Sequence, residues 1–388
     1  MPAAKSKPQA VPRPKPEKKA APKSTPKAAP ASPGLTVAVV GAGMAGVTCA
    51  RTLMRAGHRV LMFEKSLGAG GRMSTRRTEF GGFDHGAQYF TIRDERFALA
   101  IKATGAAVQT WKPNTVQVLD ALGQTLASAP ATDTHCVAVP GMNALVRFWA
   151  EPLAQGAGGS QLNTDARVVQ IERDALNPQQ WQLRTEASDG AQHVTGGIDR
   201  VVLAIPHPQA QTLLQASALA PKLRSALARV TVAPNWTLMM AFPQAMQPGL
   251  SGSAGGTDAA GFGPRWHAAR SSEHRVGWLA REPSKPGRGP VERWTVQASA
   301  AWSAEHINDD PERVKAKLMK GFAEITGIRA TPSHAVVHRW LYAQTLQPLG
   351  KPFLWDAKLG IGLCGDWCLG HRVENAFVSG LELALGMA

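Results

Sequence analysis

Cysteine is scarce in this 388-residue sequence, which contains only Cys49, Cys136, Cys364 and Cys368. Their spacing does not suit a zinc site, because CGDWC (364–368) is a C-x-x-x-C pattern without a second cysteine pair. The sequence therefore predicts no metal centre. We interpret Cys364 and Cys368 as small packed residues, and a redox dithiol remains the alternative.

Long apolar runs are also absent. No stretch approaches the ~20 apolar residues that a membrane span requires, and no apolar segment of the signal-peptide type precedes the first glycine-rich loop. Together with the few cysteines, these absences predict a cytoplasmic protein without a membrane partner. The hydrophobic content of 44% is nevertheless sufficient for two or three lobes with apolar cores.

Acidic residues are outnumbered, since 28 Asp and Glu face 43 Lys and Arg, for a formal net charge of +15. Nearly half of this excess lies in residues 1–33, where eight basic residues and one glutamate give +7 and leave +8 for the rest of the chain. The segment is rich in Ala, Lys and Pro and has no aromatic residue, which predicts a disordered tail. It is either a solvated linker or a weak, non-specific contact for nucleic acid.

The first apolar run after this tail leads into a glycine-rich loop. VAVVGAGMAG (37–46) ends in the pattern G-x-G-x-x-G, and a predicted helix over 47–56 and a predicted strand over 59–64 follow. Strand, loop, helix and strand in this order predict a βαβ unit that binds a dinucleotide. An ordinary glycine-rich turn is the alternative.

Each part of this unit has a physical reason. Gly41 allows the tight turn, Gly43 lets the backbone approach a pyrophosphate, and Gly46 lets the helix pack closely on the strand. The free N–H groups and the dipole at the helix N-terminus attract the phosphate charge. Glu64 lies about 20 residues further on, at the end of the second strand, where an acid accepts hydrogen bonds from a ribose diol.

A second glycine turn follows directly, in EKSLGAGGRM (64–73). Its arginine, Arg72, can reach back to a pyrophosphate with a planar fork of donors. The motifs GGRMSTRR (70–77) and FDHGAQYFT (83–91) resemble the flavoproteins of the amine oxidase superfamily, and within it the renalase-like branch. SKPGR (284–288) resembles the same branch. A solvated basic loop is the alternative interpretation of the arginine-rich turn.

The C-terminal part of the sequence carries a further likeness. IGLCGDWCLGHRVENAFVSGLELA (361–384) resembles the motif that completes the flavin site in this superfamily. The resemblance implies that Gly365 and Asp366 lie along the ribityl chain and pyrophosphate. It also implies that a helix from Val373 points its N-terminus at the N1 and C2 edge of the flavin, where reduction places negative charge. A terminal helix that only closes the core is the alternative.

The resemblance covers essentially everything after residue 34 and implies an α/β fold, with a discontinuous Rossmann-type FAD-binding domain and a second, mixed-sheet substrate domain. The predicted division is a tail over 1–33, FAD-binding segments over 34–105, 140–225 and 351–388, and substrate-domain segments over 106–139 and 226–350. The predicted FAD-binding residues are Gly41, Ala42, Gly43, Met44, Ala45, Gly46, Glu64, Lys65, Gly71, Arg72, Met73, Gln88, Val168, Val169, Gly365, Asp366, Val373, Glu374 and Ala376.

The family resemblance implies hydride transfer from a small-molecule substrate to flavin N5, with molecular oxygen as the acceptor that gives hydrogen peroxide. Amine oxidases of this superfamily hold their amine between two aromatic rings, often tyrosines, but this sequence has only Tyr89 and Tyr342. Renalase-like enzymes oxidise misreduced isomers of NAD(P)H, and this reaction needs no base because the product is an aromatic pyridinium. We predict the second activity. The alternatives are a flavin amine oxidase or a related FAD-dependent oxidase or dehydrogenase of another small molecule, and a non-catalytic flavin-binding partner with a nucleic-acid-binding tail.

Gln88 and Tyr89 are our candidates for groups near the flavin ring and the substrate. The amide of a glutamine can both donate and accept, which suits a flavin edge or a carboxamide, and a packing role beneath the ring is the alternative. We interpret His85 and His371 as structural because the sequence identifies no partner for either.

Overall fold

The computed structural model describes residues 34–113, 116–129, 133–246 and 262–387, and the predicted disordered tail lies outside these ranges. Within them, the helices are α1 (Met44–Arg55), α2 (Glu95–Lys102), α3 (Asn143–Ala154), α4 (His207–Ala216), α5 (Pro221–Leu227), α6 (Ala300–Glu305), α7 (Pro311–Thr326) and α8 (Val373–Met387). The strands are β1 (Thr36–Val40), β2 (Arg59–Phe63), β3 (Thr75–Thr78), β4 (Gly81–Asp84), β5 (Val108–Trp111), β6 (Val116–Leu119), β7 (Thr125–Ala129), β8 (His135–Ala138), β9 (Gln161–Asn163), β10 (Arg167–Arg173), β11 (Trp181–Glu186), β12 (Gln192–Ile198), β13 (Arg200–Leu203), β14 (Thr231–Ala241), β15 (Ala268–Ser271), β16 (Val276–Arg281), β17 (Arg293–Ala298), β18 (His334–Gln347), β19 (Leu354–Asp356) and β20 (Ile361–Leu363).

The first sheet has six strands in the order β19-β20-β13-β1-β2-β9, and every neighbouring pair except β19 and β20 is parallel. Parallel sheets are covered on both faces, which explains why β1 is a continuous apolar run. The predicted βαβ unit is present as β1, α1 and β2. Helix α1 begins at Met44, three residues before the predicted start, because the extended backbone of Gly43 already directs the chain into the helix.

Two other predicted boundaries differ from the structure. β13 ends at Leu203 rather than at Pro206. Pro206 lies directly before the first turn of α4, and it has no N–H group to contribute to a strand. Helix α3 begins at Asn143, three residues after the predicted start at Pro140. Helix α7 agrees with its prediction, since the side chain of Asp310 accepts the N–H groups of its first turn.

The second sheet has seven strands in the order β18-β14-β17-β16-β15-β6-β7, with both antiparallel and parallel pairs. Helix α7 covers one face, where Val314, Leu318 and Phe322 pack with Trp236 and Trp294 in one apolar core. The predicted fold class, a Rossmann-type domain with a second mixed sheet, is therefore confirmed. The predicted domain boundaries stay a prediction.

Helix α8 lies directly against α1. A Cβ atom at Gly380 would overlap the carbonyl oxygen of Ala45, so the two backbones touch at this point. Ser379, the neighbour of that glycine, accepts the N–H of Gly365 at 2.9 Å. The last helix of the described chain is thus fixed to both the first helix and the loop after β20.

Candidate cofactor and substrate site

A cavity of about 1050 Å³ lies between the two sheets. Its wall comes from segments that are far apart in sequence: the β1–α1 loop, the end of β2, the glycine turn before β3, the loop after β4, β10, β18, the loop after β20, and the start of α8. Fifteen of the predicted FAD-binding residues line it: Gly41, Gly43, Met44, Ala45, Glu64, Lys65, Gly71, Arg72, Met73, Val168, Val169, Gly365, Asp366, Val373 and Ala376. The volume is at the upper end for ligand pockets, as an extended dinucleotide requires.

The β1–α1 loop leaves no space for side chains. Gly41 has a φ of +102°, and a Cβ there would lie 2.6 Å from the carbonyl oxygen of Ala204, while a Cβ at Gly46 would overlap the carbonyl oxygen of Gly41. No side chain caps α1, and its first turn contains no acid. The N–H groups at this helix end therefore remain available for an anion from the cavity, which fits the pyrophosphate of FAD.

Glu64 lies immediately after β2 and is 7% exposed. One carboxylate oxygen accepts the N–H of Ala42 at 2.8 Å, and the other accepts the N–H of Ser66 at 2.9 Å. Each oxygen retains a lone pair. The carboxylate is therefore held in place by backbone donors and can still accept hydrogen bonds from ribose hydroxyls.

The guanidinium of Arg72 makes a planar double contact with Asp366, a partner that the sequence did not indicate. Its Nη1 donates to Oδ2 of Asp366 at 2.9 Å and its Nη2 to Oδ1 at 2.6 Å, across 294 residues of sequence. The side chain of Asp366 is 8% exposed and that of Arg72 is 30% exposed. The planar pair is thus neutral as a whole and keeps the guanidinium at the cavity wall.

Gln88 and Tyr89 do not line the cavity. The amide nitrogen of Gln88 donates to the carbonyl oxygen of Asp84, and its oxygen accepts from Nζ of Lys285 at 3.1 Å. Tyr89 stacks on His135 with ring centroids 3.8 Å apart. Both side chains therefore contact other residues of the protein and do not line the cavity.

Three other predicted FAD-binding residues also lie outside the lining. Ala42 and Gly46 shape the β1–α1 loop, as described above. The carboxylate of Glu374 accepts the N–H groups of Arg93 and Asp94, and it thereby connects the start of α8 to the segment before α2.

Behind the loop after β4 lies a buried charge cluster of Asp84, Glu282, Lys285 and Arg288, whose side chains have no exposed surface. Arg288 donates to Oδ2 of Asp84 at 2.6 Å, and Nζ of Lys285 lies 3.2 Å from Glu282 and 3.4 Å from Asp84. Burial by itself would raise the pKa of Asp84, but Lys285 and Arg288 hold that pKa below its ordinary value. The two acids and two cations therefore pair with each other, and the buried Arg293 donates to the carbonyl oxygen of Arg288 beside them.

His85, His338 and Trp340 form an aromatic wall at one side of the cavity. His85 stacks on Trp340 with centroids 5.2 Å apart, and His338 meets both rings edge-on at 4.9 and 4.5 Å. Nε1 of Trp340 also donates to the carbonyl oxygen of His85 at 2.9 Å. Burial, with the neighbouring positive charge of Arg76, lowers the pKa of both histidines to about 4. Both imidazoles are therefore neutral at pH 7.

Because the pKa of His85 is about 4 in the folded protein and about 6.5 in the unfolded chain, the unfolded chain binds more protons between these values. The free energy of unfolding should thus fall by about 3 kcal/mol as the pH is lowered from 6.5 to 4. We expect His85→Phe to show a smaller difference between pH 7 and pH 4.5 in urea unfolding with excess FAD. His193→Gln, at an exposed position on β12, should retain the full difference. An unchanged difference in His85→Phe would contradict this linkage.

All four cysteines are free and buried. Burial raises the pKa of Cys368 to about 12, and the contact with Cys49 together with burial raises that of Cys364. Such thiols are poor nucleophiles. Among the described residues, no group of three or more His, Cys, Asp or Glu is arranged to hold a metal ion, and no helix has the length and apolar character needed to cross a bilayer.

Two family descriptions match this chain. "NAD(P)-binding Rossmann-like domain" matches residues 39–99, which contain the β1–α1 loop and the second glycine turn. "Flavin containing amine oxidoreductase" matches residues 121–385, more than half of the 388-residue sequence. The chain belongs to this family. As a flavin containing amine oxidoreductase, it is an FAD-dependent oxidoreductase.

Solved structures share the fold of this flavin containing amine oxidoreductase at low identity. A protein from Exiguobacterium sp. 255-15, provisionally named a protoporphyrinogen oxidase, is 14% identical with a TM-score of 0.68, over 91% of this chain and 98% of that one. Cyclohexylamine oxidase from Brevibacterium oxydans IH-35A is 15% identical with a TM-score of 0.62, over 92% and 99%. An oxidoreductase from Methanosarcina mazei is 12% identical with a TM-score of 0.60, over 90% and 99%.

Proposed function

We propose that this enzyme is renalase-like and oxidises dihydronicotinamide isomers that carry their hydride at the wrong ring carbon. When bound, FAD supplies the acceptor for that hydride at N5, and O₂ then takes up two electrons and two protons to give hydrogen peroxide. The substrate leaves as an aromatic pyridinium, so its two electrons and one hydrogen are accounted for without a protein base.

In this proposal the residues of the cavity wall hold FAD in an extended form. Glu64 would accept the ribose hydroxyls near the adenine, beside the backbone of Val168 and Val169. The N-terminus of α1 and the Arg72–Asp366 pair would border the pyrophosphate. The N-terminus of α8, at Val373, would face the flavin edge that gains negative charge, where the positive end of the helix dipole is favourable.

The charge of the cavity wall is the observation that favours a dihydronicotinamide nucleotide over an amine as the substrate. Among the described lining residues, the only acids are Glu64 and Asp366, and both are engaged, by backbone N–H groups and by Arg72 respectively. Because Glu64 would be occupied by the ribose of FAD and Asp366 is paired with Arg72, neither acid would be available to pair with the ammonium group of an amine. Lys65 and Arg372 also line the wall, and this positive excess suits the phosphates of a nucleotide better than a cationic amine.

The aromatic residues support the same choice. Of the two tyrosines, only Tyr342 lines the cavity, so a cage of two tyrosines around an amine is not available. His85 and His338, with pKa values of about 4, are weak bases at neutral pH. Hydride loss from a dihydropyridine requires neither feature.

Anaerobic mixing of the FAD-loaded enzyme with candidate reductants tests this function through bleaching of the flavin absorbance. We expect rapid bleaching by the 2- and 6-dihydro isomers of NAD(P), slow or negligible bleaching by ordinary NAD(P)H, and none by cyclohexylamine or benzylamine. With oxygen present, peroxide should form one for one with oxidised nucleotide. Fast bleaching by an amine, with the isomers inert, would establish the amine oxidase alternative instead, and bleaching by none of them would mean that this oxidoreductase acts on another small molecule.

The proposal gives no catalytic role to the basic tail. Deletion of residues 1–33 should leave the rate of flavin reduction unchanged and should remove any weak retention on DNA at low salt.

A further inference from the structure

His338 has a defined hydrogen-bonding state. Its Nδ1 lies 3.5 Å from Nη2 of Arg76. A guanidinium has only donors, so Nδ1 must be the acceptor of this contact. Because the imidazole is neutral, its proton is then on Nε2. The position of one arginine therefore selects one of the two tautomers of the histidine.

The Nε2–H group of His338 is a free donor. None of the described residues accepts a hydrogen bond from it, and it is not among the buried polar atoms that lack a partner. The residue lines the cavity next to His85 and Trp340. Arg76 in turn has no carboxylate within ion-pair distance among the described residues, so nothing there competes with His338 for its guanidinium.

We propose that His338 is the residue that recognises the carboxamide of the dihydronicotinamide ring, with its Nε2–H donating to the carboxamide oxygen, and that Arg76 is the positioning residue that maintains this tautomer. The inference rests on the proposed function and identifies the carboxamide as the part of the substrate that the aromatic wall recognises. An amine without a carbonyl group offers no acceptor to this donor.

The strength of this hydrogen bond should change when the substrate is oxidised. In a dihydronicotinamide the lone pair of the ring nitrogen is delocalised through the ring onto the carboxamide oxygen, which makes that oxygen a strong acceptor. In the pyridinium product this donation is lost. The Nε2–H group therefore binds the reduced substrate more tightly than the product or the transition state, and it contributes to KM more than to kcat.

Steady-state kinetics with a dihydro isomer provide the first test. We expect His338→Phe to raise KM about 10-fold while kcat changes less than about 3-fold. His338→Gln should recover part of the loss because its amide is also a neutral donor, and Arg76→Met should give an intermediate KM. Arg77→Met, one residue further along β3 and exposed, is the matched control and should behave as wild type. A fall in kcat with KM unchanged would overturn the assignment.

Ligand titration provides a second test that does not depend on turnover. With the FAD-loaded protein, perturbation of the flavin spectrum should report tighter binding of nicotinamide and 3-acetylpyridine than of 3-methylpyridine. The preference should be about 3-fold, smaller than the effect on KM because an aromatic ring donates less electron density to the carbonyl oxygen, and His338→Phe should abolish it. Equal affinities in wild type, or no binding of nicotinamide at all, would overturn the inference. If the preference is found but no dihydro isomer reduces the flavin, the proposed function fails and the donor role of His338 stands. If the isomers reduce the flavin but the preference persists in His338→Phe, only the inference fails.

Discussion

Asp84→Ala is expected to lower the free energy of unfolding by about 3–5 kcal/mol, because it leaves buried cations without their acid. Arg288 donates to Asp84 from both Nε and Nη2, at 3.1 and 2.6 Å, and Nζ of Lys285 lies 3.4 Å from the same oxygen. Of the acids in the cluster, only Glu282 would then remain beside Lys285 and Arg288, whose side chains have no exposed surface. Urea unfolding of the FAD-loaded protein at pH 7 measures the change.

A matched control distinguishes this effect from the loss of any well-bonded aspartate. Asp94 accepts the N–H groups of Arg96 and Phe97 at the start of α2, but its side chain retains 24% exposure and that of its ion-pair partner Arg96 is 45% exposed. Asp94→Ala should therefore cost only about 1 kcal/mol, as for other helix caps. If Asp84→Ala costs no more than this control, the buried charge cluster does not have the importance that we assign to it.

Arg72→Ala should weaken FAD binding by roughly 10- to 150-fold, which corresponds to ~1.5–3 kcal/mol for a charge-assisted contact. The substitution removes a cation from the cavity wall and also leaves the carboxylate of Asp366 unpaired beside the proposed pyrophosphate site. Arg72→Lys should recover only part of the affinity, because an ammonium cannot make the planar double contact. Titration of the apoprotein with FAD, followed by flavin fluorescence, gives the dissociation constants.

A double substitution separates the two causes. If part of the loss in Arg72→Ala comes from the unpaired carboxylate, Arg72→Ala combined with Asp366→Asn should bind FAD more tightly than Arg72→Ala alone. Normal FAD affinity in Arg72→Ala would remove this arginine from the cofactor site altogether.

Local sequence pattern predicted the elements whose physical causes are local. The apolar run of β1, its glycine loop and the acid after β2 specify one βαβ unit within 30 residues. Helix α7 is marked at both ends, by the cap at Asp310 and by Gly327, whose φ is +74°. Helix α8 likewise begins at Val373, as the C-terminal motif predicted.

The contacts that the sequence did not predict are those made by polar side chains across long separations. The motif of Gln88 predicts a position near the flavin, whereas its side-chain oxygen accepts from Lys285, 197 residues away. Arg72 and Asp366 were both predicted to border the pyrophosphate, and nothing in either motif indicated that they pair with each other. No periodicity or spacing rule relates two charges that meet only through the tertiary fold.

The close contact between Gly380 of α8 and Ala45 of α1 also has a consequence for how the holoenzyme is made. During synthesis the β1–α1 loop leaves the ribosome first, whereas Asp366 and α8 follow roughly 15–65 s later at ~5–20 residues per second. Until then, the loop after β20 and the start of α8 are missing from the cavity wall. A nascent chain therefore lacks this part of the pocket, and we infer that FAD is captured after translation rather than during it.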